Sequence, residues 1–268
     1  MRFLGSFCLL ICFSSCAVSS PSGGAWPDNE LTYPEDAVEE LVEPTTPEAT
    51  EIWEPKPPRV TTTPGKAPSD AIVLFDGTNL DAWQRSQDST AAKWQINNDG
   101  SMTVVSGSGD IETKQKFGSM QLHLEWKSPT EIVGEGQSRA NSGVFIQQRY
   151  EVQIVDNNNN DTYVNGQVGS IYKQAIPAVN PAVPTGEWNT YDIIFHAPEW
   201  VGDIKIKAGT ITVLFNGVLV HDHFELEGAV AYIGWPKDEP HGKAPLKLQD
   251  HNDGSRPSFR TIWVRPLD

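Results

Sequence analysis

Residues 120–127, Met-Gln-Leu-His-Leu-Glu-Trp-Lys, alternate apolar and polar side chains from one end to the other. Successive side chains of a β-strand point to opposite faces of its sheet, so this pattern predicts a strand with one buried face. The same period recurs at 149–154, 191–195 and 211–215, and no stretch keeps the period of an amphipathic helix. From residue 71 onward, the sequence therefore predicts an all-β domain.

Turn residues separate these predicted strands. Asn216-Gly217 lies between two apolar runs and predicts a two-residue hairpin, because both central positions of such a turn need positive φ. Asn141-Ser142-Gly143 and Asp253-Gly254 mark further turns. A length of about 200 residues suits one large sandwich or two small domains. We interpret 71–268 as one antiparallel two-sheet β-sandwich.

The first sixteen residues predict export. Arg2 precedes an apolar run, residues 3–13, that is too short to span a bilayer as a stable helix. Ser14 and Ser15 then precede Cys16, and this order resembles a bacterial lipoprotein signal in which Cys16 is lipidated and anchors the protein to a membrane. Ala17 favours the outer membrane over the inner one, at the periplasmic or cell surface. An ordinary secretory signal with an incidental Cys16 is the alternative.

Residues 17–70 predict a disordered, acidic, proline-rich tether. They contain ten of the twenty prolines, and eleven acidic residues against three basic ones. Such a composition buries too little apolar surface to offset the entropy lost on ordering. All three cysteines precede the tether, so the folded domain has no disulfide. The net charge of −15 and the lack of a basic stripe argue against nucleic acid as a partner.

The polar sides of the predicted strands are rich in side chains that form hydrogen bonds. Gln121, His123 and Glu125 lie in one strand, and Glu151 and Gln153 lie in another. A polar sheet face with nearby aromatic rings suits a sugar, because hydroxyls need donors and acceptors while the C–H face of a sugar packs on rings. A solvated outer face is the alternative, and it is the commoner fate of polar strand positions.

Seven segments, taken in order, resemble one family. They are 74–83, 117–127, 141–145, 150–156, 186–190, 248–251 and 259–264. Together they resemble the 3-keto-disaccharide hydrolase domain family, which has a concanavalin A-like jelly-roll sandwich, and the resemblance covers 71–268. It implies an enzyme that cleaves glycosides already oxidised to a ketone at sugar carbon 3.

The ketone determines the chemistry that this resemblance implies. It acidifies the proton on carbon 2, so a base can remove that proton and the enolate can expel the group on carbon 1. Addition of water then gives net hydrolysis. The site needs a base, an electrophile at the keto oxygen and an acid for the leaving oxygen. A bound divalent metal ion, calcium or another, is one candidate for the electrophile.

Two residues are the candidates for proton transfer. Glu151 lies in mid-strand on the polar side, and His251 lies in the loop Gln249-Asp250-His251. Asn141 has a structural alternative, since it could only shape a turn, and Asp250 could only cap a loop. The candidate contacts to substrate hydroxyls or to the keto oxygen are Glu125, Arg139, Asn141, Gln153, Lys173 and Asp250.

Two other functions remain open at this point. Laminarinase-like enzymes of the same superfamily use a Glu-x-Asp-x-x-Glu strand, which is similar to residues 151–156. Glu151 and Asp156 would then face one cleft about 5 Å apart, as a retaining mechanism requires. A non-catalytic carbohydrate-binding module is the second alternative, because the same fold serves lectins.

Two segments contain side chains that could bind a metal. His221-Asp222-His223 puts two imidazoles on one side of a regular strand, although it also reads as a polar strand end. Residues 156–161 are rich in oxygen ligands but lack the spacing of a known calcium loop. The sequence has no phosphate-binding glycine loop, dinucleotide fingerprint or cysteine nucleophile, which excludes kinases, dehydrogenases and cysteine proteases.

Overall fold

A computed structural model describes residues 43–268. The chain divides into two units, Met1–Pro57 and Pro58–Asp268. The predicted signal at 1–16, with Cys16, and residues 17–42 of the predicted tether lie outside the described residues. The described part of the first unit contains one 3-10 turn, Pro47–Thr50. Within residues 43–268, no helix has the length and apolar character needed to cross a membrane.

The second unit is a jelly-roll β-sandwich of two antiparallel sheets, as predicted. Sheet 1 consists of β1 (Ile72–Phe75), β3 (Gln95–Ile96), β4 (Met102–Thr103), β6 (Met120–Lys127), β9 (Asn189–His196), β12 (Thr210–Phe215), β13 (Val218–Glu225) and β15 (Ser258–Pro266). Sheet 2 consists of β2 (Trp83–Arg85), β5 (Ile111–Phe117), β7 (Ser142–Ile146), β8 (Tyr150–Ile154) and β14 (Ala244–Leu248). A separate hairpin pairs β10 (Glu199–Val201) with β11 (Ile204–Lys207). Two short 3-10 turns lie at Gly136–Ser138 and Val164–Gly166.

Strands run in the order β13-β12-β9-β6-β15-β4-β3 in sheet 1, where β1 also pairs with β15. Sheet 2 has the order β2-β5-β14-β7-β8. The unit begins before residue 71: the Thr61 N–H donates to the Ser69 hydroxyl at 3.0 Å, and Arg265 of β15 forms an ion pair with Asp70 at 2.5 Å.

The core lies between the two sheets, and alternation in the strands builds it. Every second residue of β6 is fully buried, which confirms the strand and its register. Trp126 packs against Tyr191 with ring centroids 5.6 Å apart, and Tyr191 packs edge-on against Phe215 at 4.8 Å. The Tyr191 hydroxyl crosses to sheet 2 and donates to the Gln153 carbonyl at 2.7 Å. This hydrogen bond across the core holds β8 against sheet 1.

The predicted turns are confirmed at one position and shifted at another. Asn216 and Gly217 have φ of 50° and 76° and join β12 to β13, as the hairpin prediction requires. The turn expected at residues 141–143 lies earlier, because Ala140 has a φ of 50° and Ser142 already begins β7.

Strands β7 and β8 are buried on both faces, unlike β6. The segment 169–172 continues sheet 2 beyond β8: the Gln153 N–H donates to the Ser170 carbonyl, and the Tyr172 N–H donates to the Glu151 carbonyl, both at 3.0 Å. Further out, the Val230 N–H donates to the Arg149 carbonyl at 2.7 Å. Loops therefore border the outer face of sheet 2, and its polar side chains line a space that is partly open to solvent.

Candidate active site on the outer face of sheet 2

Two rows of side chains across β14, β7 and β8 form the floor of the site. In the first row Phe145 is paired with Lys247 on one side and with Glu151 on the other. Directly paired residues point to the same face of a sheet, so these three side chains point outward together. The second row contains Gly143, which is paired with Gln153 and accepts a hydrogen bond from the Gln249 N–H at 3.1 Å.

The floor and the loops beside it border an open cavity of about 720 Å³. Four loops border the space: one before β7, one that contains residues 163–173, one that contains residues 230–232, and one that follows β14 and contains His251. Its lining is Gln137, Ser138, Asn141, Phe145, Glu151, Gln153, Tyr163, Tyr172, Lys173, Val230, Tyr232, Lys247, Gln249 and His251. This volume is typical of a site for a small ligand.

Glu151 is the buried carboxyl group of this cavity, with 5% of its surface exposed. Burial raises the pKa of Glu151 to about 8, since the charged form loses its hydration. The ammonium of Lys247 lowers this pKa and the carboxylate of Asp110 raises it. Lys247 forms an ion pair with Asp110 at 2.9 Å, so its charge is partly neutralised and burial remains the dominant influence on Glu151.

His251 lies at the edge of the cavity with its ring held by a carboxylate. Its Nδ1 is 2.7 Å from Asp253 Oδ2, and the Ser255 N–H donates to the other oxygen of Asp253 at 2.8 Å. A carboxylate on Nδ1 favours the tautomer with the proton on that nitrogen, which leaves Nε2 available for proton transfer.

Hydrogen-bond donors form the wall opposite the floor. The Tyr163 and Tyr172 hydroxyls are 2.5 Å apart, and burial raises the pKa of both, so both stay protonated at neutral pH. The Lys173 ammonium lies 4.6 Å from the centroid of the Tyr232 ring and donates to the Tyr232 carbonyl. This wall therefore presents one cation and two hydroxyls to the cavity.

Amide side chains supply acceptors. The Gln153 amide nitrogen donates to Gln137 Oε1 at 2.9 Å, and the Asn141 amide nitrogen donates to the Gln137 carbonyl at 2.6 Å. The side-chain oxygens of Gln153 and Gln249 are buried and accept no hydrogen bond from any residue in the range 43–268. Buried acceptors of this kind are suited to ligand hydroxyl groups.

Comparison with known proteins shows the family to which this chain belongs. The sequence model of the 3-keto-alpha-glucoside-1,2-lyase-like domain matches residues 70–265. The chain belongs to this family. The match confirms the family that the segments between 74 and 264 indicated.

Solved structures that are similar to this chain support the same fold. A candidate glycosyl hydrolase from Parabacteroides distasonis ATCC 8503 is 50% identical, with a TM-score of 0.79 over 83% of this chain and 97% of its own. A second candidate glycosyl hydrolase from that organism is 22% identical, with a TM-score of 0.55 over 74% of this chain and 94% of its own, and shows the fold alone. No curated protein matches the chain.

In this member of the 3-keto-alpha-glucoside-1,2-lyase-like family, five of the predicted site residues line one cavity. They are Glu151, His251, Asn141, Gln153 and Lys173. They approach from β8, from the start of β7 and from two loops that are far apart in sequence. Their roles stay predictions.

Three predicted contacts lie elsewhere, which corrects the expectation of a single polar face. Glu125 is on β6 of sheet 1, where both Nε and Nη2 of Arg260 donate to it at 2.8 and 2.6 Å. Asp250 accepts from the Gly109 and Asn252 N–H groups at 2.9 and 3.0 Å, so it holds two loops, as its structural alternative stated. Arg139 lines a different cavity.

Asp156 also lies away from Glu151. It lines the same second cavity as Arg139, whereas Glu151 lines the first. Glu151 lies within β8, which pairs with β7 without a register shift, whereas Asp156 lies beyond the end of that strand. The cleft with two carboxylates that a laminarinase-like mechanism needs is therefore not formed by this pair.

The two segments whose side chains could bind a metal make other contacts in the structure. A register shift in β13 separates the imidazoles, so His221 is buried with Nε2 2.8 Å from the Gly169 carbonyl oxygen while His223 is exposed. The predicted placement on one side of the strand is wrong for this reason. In the loop 156–161, Asn160 bonds to the Gly136 backbone. Within residues 43–268, no three His, Cys, Asp or Glu side chains form a metal-binding group.

Several cavity residues were not predicted. Lys247 and Gln249 alternate with the buried Leu246 and Leu248, so the period-two pattern could have placed both on the polar face. Nothing in the local sequence marks the others. Phe145 lies on β7, which is buried on both faces, and the rest lie in loops that are distant in sequence. These others are Gln137, Ser138, Phe145, Tyr163, Tyr172, Val230 and Tyr232.

Proposed function

We propose that this chain is a glycoside-acting enzyme that cleaves 3-keto-glycosides by elimination at the anomeric carbon. Membership of the 3-keto-alpha-glucoside-1,2-lyase-like family supports an enzyme that acts on glycosides. The 50% identity to a candidate glycosyl hydrolase supports the same class. The preference for a keto sugar rests on the family name and on the chemistry of the cavity.

The observation that carries the proposal is the buried carboxyl of Glu151 at the floor of the cavity. A carboxylate whose pKa is about 8 is a stronger base than an ordinary one, and its pKa lies close to neutral pH. Glu151 removes the proton from carbon 2 of the bound keto sugar, and the electron pair of that C–H bond forms the enolate. Collapse of the enolate forms the C1–C2 double bond and breaks the bond from carbon 1 to the leaving oxygen.

The other cavity residues have complementary tasks. Tyr172 and Lys173 donate hydrogen bonds to the keto oxygen, where negative charge develops in the enolate. His251 in its doubly protonated form, held at Nδ1 by Asp253, gives its Nε2 proton to the leaving oxygen. Water then adds across the new double bond, which completes a net hydrolysis, or the unsaturated sugar leaves as such.

The test uses the purified chain and two substrates, a 3-keto-disaccharide and its unoxidised parent, with products separated by chromatography. We expect cleavage of the keto sugar alone. Glu151→Gln should lose about 10²- to 10⁴-fold in kcat, the range for a general acid or base. Glu225→Gln, an exposed glutamate on β13, is the matched control and should keep full activity.

Each other outcome has a distinct meaning. Cleavage of the parent sugar would favour a conventional glycosidase, and binding without turnover of either sugar would favour a carbohydrate-binding module. A parallel reaction with a chelator tests for a divalent metal ion. Full activity of Glu151→Gln would overturn the assignment of the base.

We also propose that the chain is exported and anchored through lipid on Cys16. The support is the order of residues 2–16, and these residues lie outside the described range. Cells grown with radiolabelled palmitate should label the wild-type protein and the Cys12→Ser variant, but not Cys16→Ser. Label on Cys16→Ser would exclude this attachment site.

A further inference from the structure

A second cavity of about 340 Å³ lies between the segment that follows β6 and the segment that precedes β15. Residues 127–133, 139–140 and 254–258 contribute to its walls. It shares no lining residue with the cavity that contains Glu151. Its volume suits a ligand no larger than one or two sugar rings.

Arg139 is the buried cation of this cavity. Its side chain is only 10% exposed, yet its Nε–H donates to no residue of the described range. The Nε atom is fully buried and lacks a partner. A guanidinium has five N–H donors, and a buried donor without an acceptor is unfavourable.

The nearest acid does not satisfy this arginine. Asp156 Oδ2 is 3.4 Å from Arg139 Nε, in a geometry that makes an ion pair but no hydrogen bond. The oxygens of Asp156 already accept hydrogen bonds from the Asn158 backbone and side chain and from the Thr185 hydroxyl at 2.7 Å. Asp156 therefore compensates part of the buried charge and leaves the donors of the arginine open.

The rest of the lining is consistent with an anion. Lys127 and the exposed Arg256 add two cations, and Ser255 and Ser258 add hydroxyls. Glu131 is the other acid of the lining, and its side chain is exposed at the surface. A guanidinium fork matches the two oxygens of a carboxylate and binds them together.

We propose that this cavity binds a small molecule that carries a carboxylate, and that the Arg139 guanidinium is the group that recognises it. The inference concerns a site separate from that of the proposed reaction, so it stands or fails independently of keto-sugar cleavage. The cavity is large enough for a sugar acid.

Calorimetric titration of the purified full-length chain with glucuronate tests the proposal, with glucose as the neutral probe. We expect saturable binding of glucuronate that weakens as salt is raised, and no binding of glucose. Arg139→Gln should weaken glucuronate binding at least tenfold. Arg260→Gln, which removes an arginine of sheet 1 outside both cavities, is the matched control and should bind like the wild type.

Arg139→Lys covers the case in which Arg139→Gln fails to fold. It keeps the buried charge beside Asp156 but cannot bind two oxygens with one planar group, so the affinity should still fall at least fivefold. Crystals of the wild-type chain soaked in glucuronate should show its carboxylate at Arg139. The proposal is overturned if the wild type binds no glucuronate, if Arg139→Lys binds as tightly as the wild type, or if the soaked carboxylate lies elsewhere.

Discussion

The carboxyl group of Glu151 occupies the space that a side chain at Gly143 would fill. A Cβ atom at Gly143 would lie 2.3 Å from Glu151 Oε1 and 2.8 Å from the Phe145 ring. Gly143 lies within β7 and its φ is not in the left-handed region, so the requirement for glycine comes from space alone. The floor of the cavity therefore requires glycine at position 143 of β7, because a larger side chain would collide with the carboxyl group of Glu151.

Gly143→Ala should therefore impair catalysis by displacing the proposed base. We expect kcat to fall about 100-fold, because a shift of roughly 1 Å in a reacting group has effects of that size. Overpacking should also lower the stability by about 1–3 kcal/mol. Gly242→Ala is the control, since no atom lies within 4 Å of its Cβ position, and it should change neither quantity. Normal kcat in Gly143→Ala would show that the position of Glu151 is not critical.

The rate of keto-sugar cleavage should rise with pH through the pKa of Glu151. The folded pKa is about 8, so at pH 7 most molecules carry the protonated carboxyl, which cannot accept a proton. We expect kcat/KM to rise about tenfold per pH unit below pH 8 and to level off above it. Stopped-flow rates from pH 5.5 to pH 9.5 measure this profile. A rate that falls above pH 8 would assign Glu151 as the acid instead.

The same group should make the protein less stable as pH rises. The pKa of Glu151 is 4.5 in the ordinary state and about 8 when folded, so between these values the folded chain binds the proton and the unfolded chain has lost it. Its contribution to the free energy of unfolding is complete below pH 4.5, declines towards pH 8 and stays constant above it. The total change is on the order of 5 kcal/mol.

Urea denaturation of the wild type and of Glu151→Gln at pH 5, 6.5 and 8.5 isolates this contribution. The glutamine has no proton to lose, so its stability relative to the wild type should increase steadily with pH. A difference in unfolding free energy that is the same at all three values would mean that the pKa of Glu151 is not raised.

Asp253 should act on catalysis through His251. Asp253→Asn removes the carboxylate 2.7 Å from Nδ1 and so loses control of the tautomer and the orientation of the ring. We expect kcat to fall 10- to 100-fold with little change in KM, and the loss to be larger for a poor leaving group than for a good one, because a good leaving group needs no proton donor. Asp253→Glu should restore part of the rate. A loss in Asp253→Asn that is equal for both leaving groups would leave Asp253 with a structural role only.

The sequence predicted the sandwich because alternation and turn chemistry are local. Residues 120–127 and the Asn216-Gly217 hairpin each specify their conformation within a few positions, and the structure confirms both. The local sequence does not determine on which sheet a polar residue lies. Glu125 and Glu151 have the same alternating surroundings in sequence, but one lies on each sheet, and only the strand pairing separates them.

The cavity was only partly predictable for the same reason. Glu151 and Gln153 were found from one strand, whereas Tyr172 and Tyr232 enter from loops whose positions depend on the whole fold. The second cavity was not predicted. Its existence depends on the contact between residues 139–140 and residues 254–258, which lie more than a hundred positions apart.

The position of β15 in sheet 1 has a consequence for how the chain reaches its folded state. This strand pairs with β1, β6 and β4, and it comes after all of them in the sequence. While the chain is being synthesised, β1 lacks its partner, and β4 and β6 lack the neighbour on one side, until residues 258–266 emerge from the ribosome. Pairings over such distances form slowly. Sheet 1 is therefore completed only after its last strand has been made, so the pairings of β15 are a late step of folding.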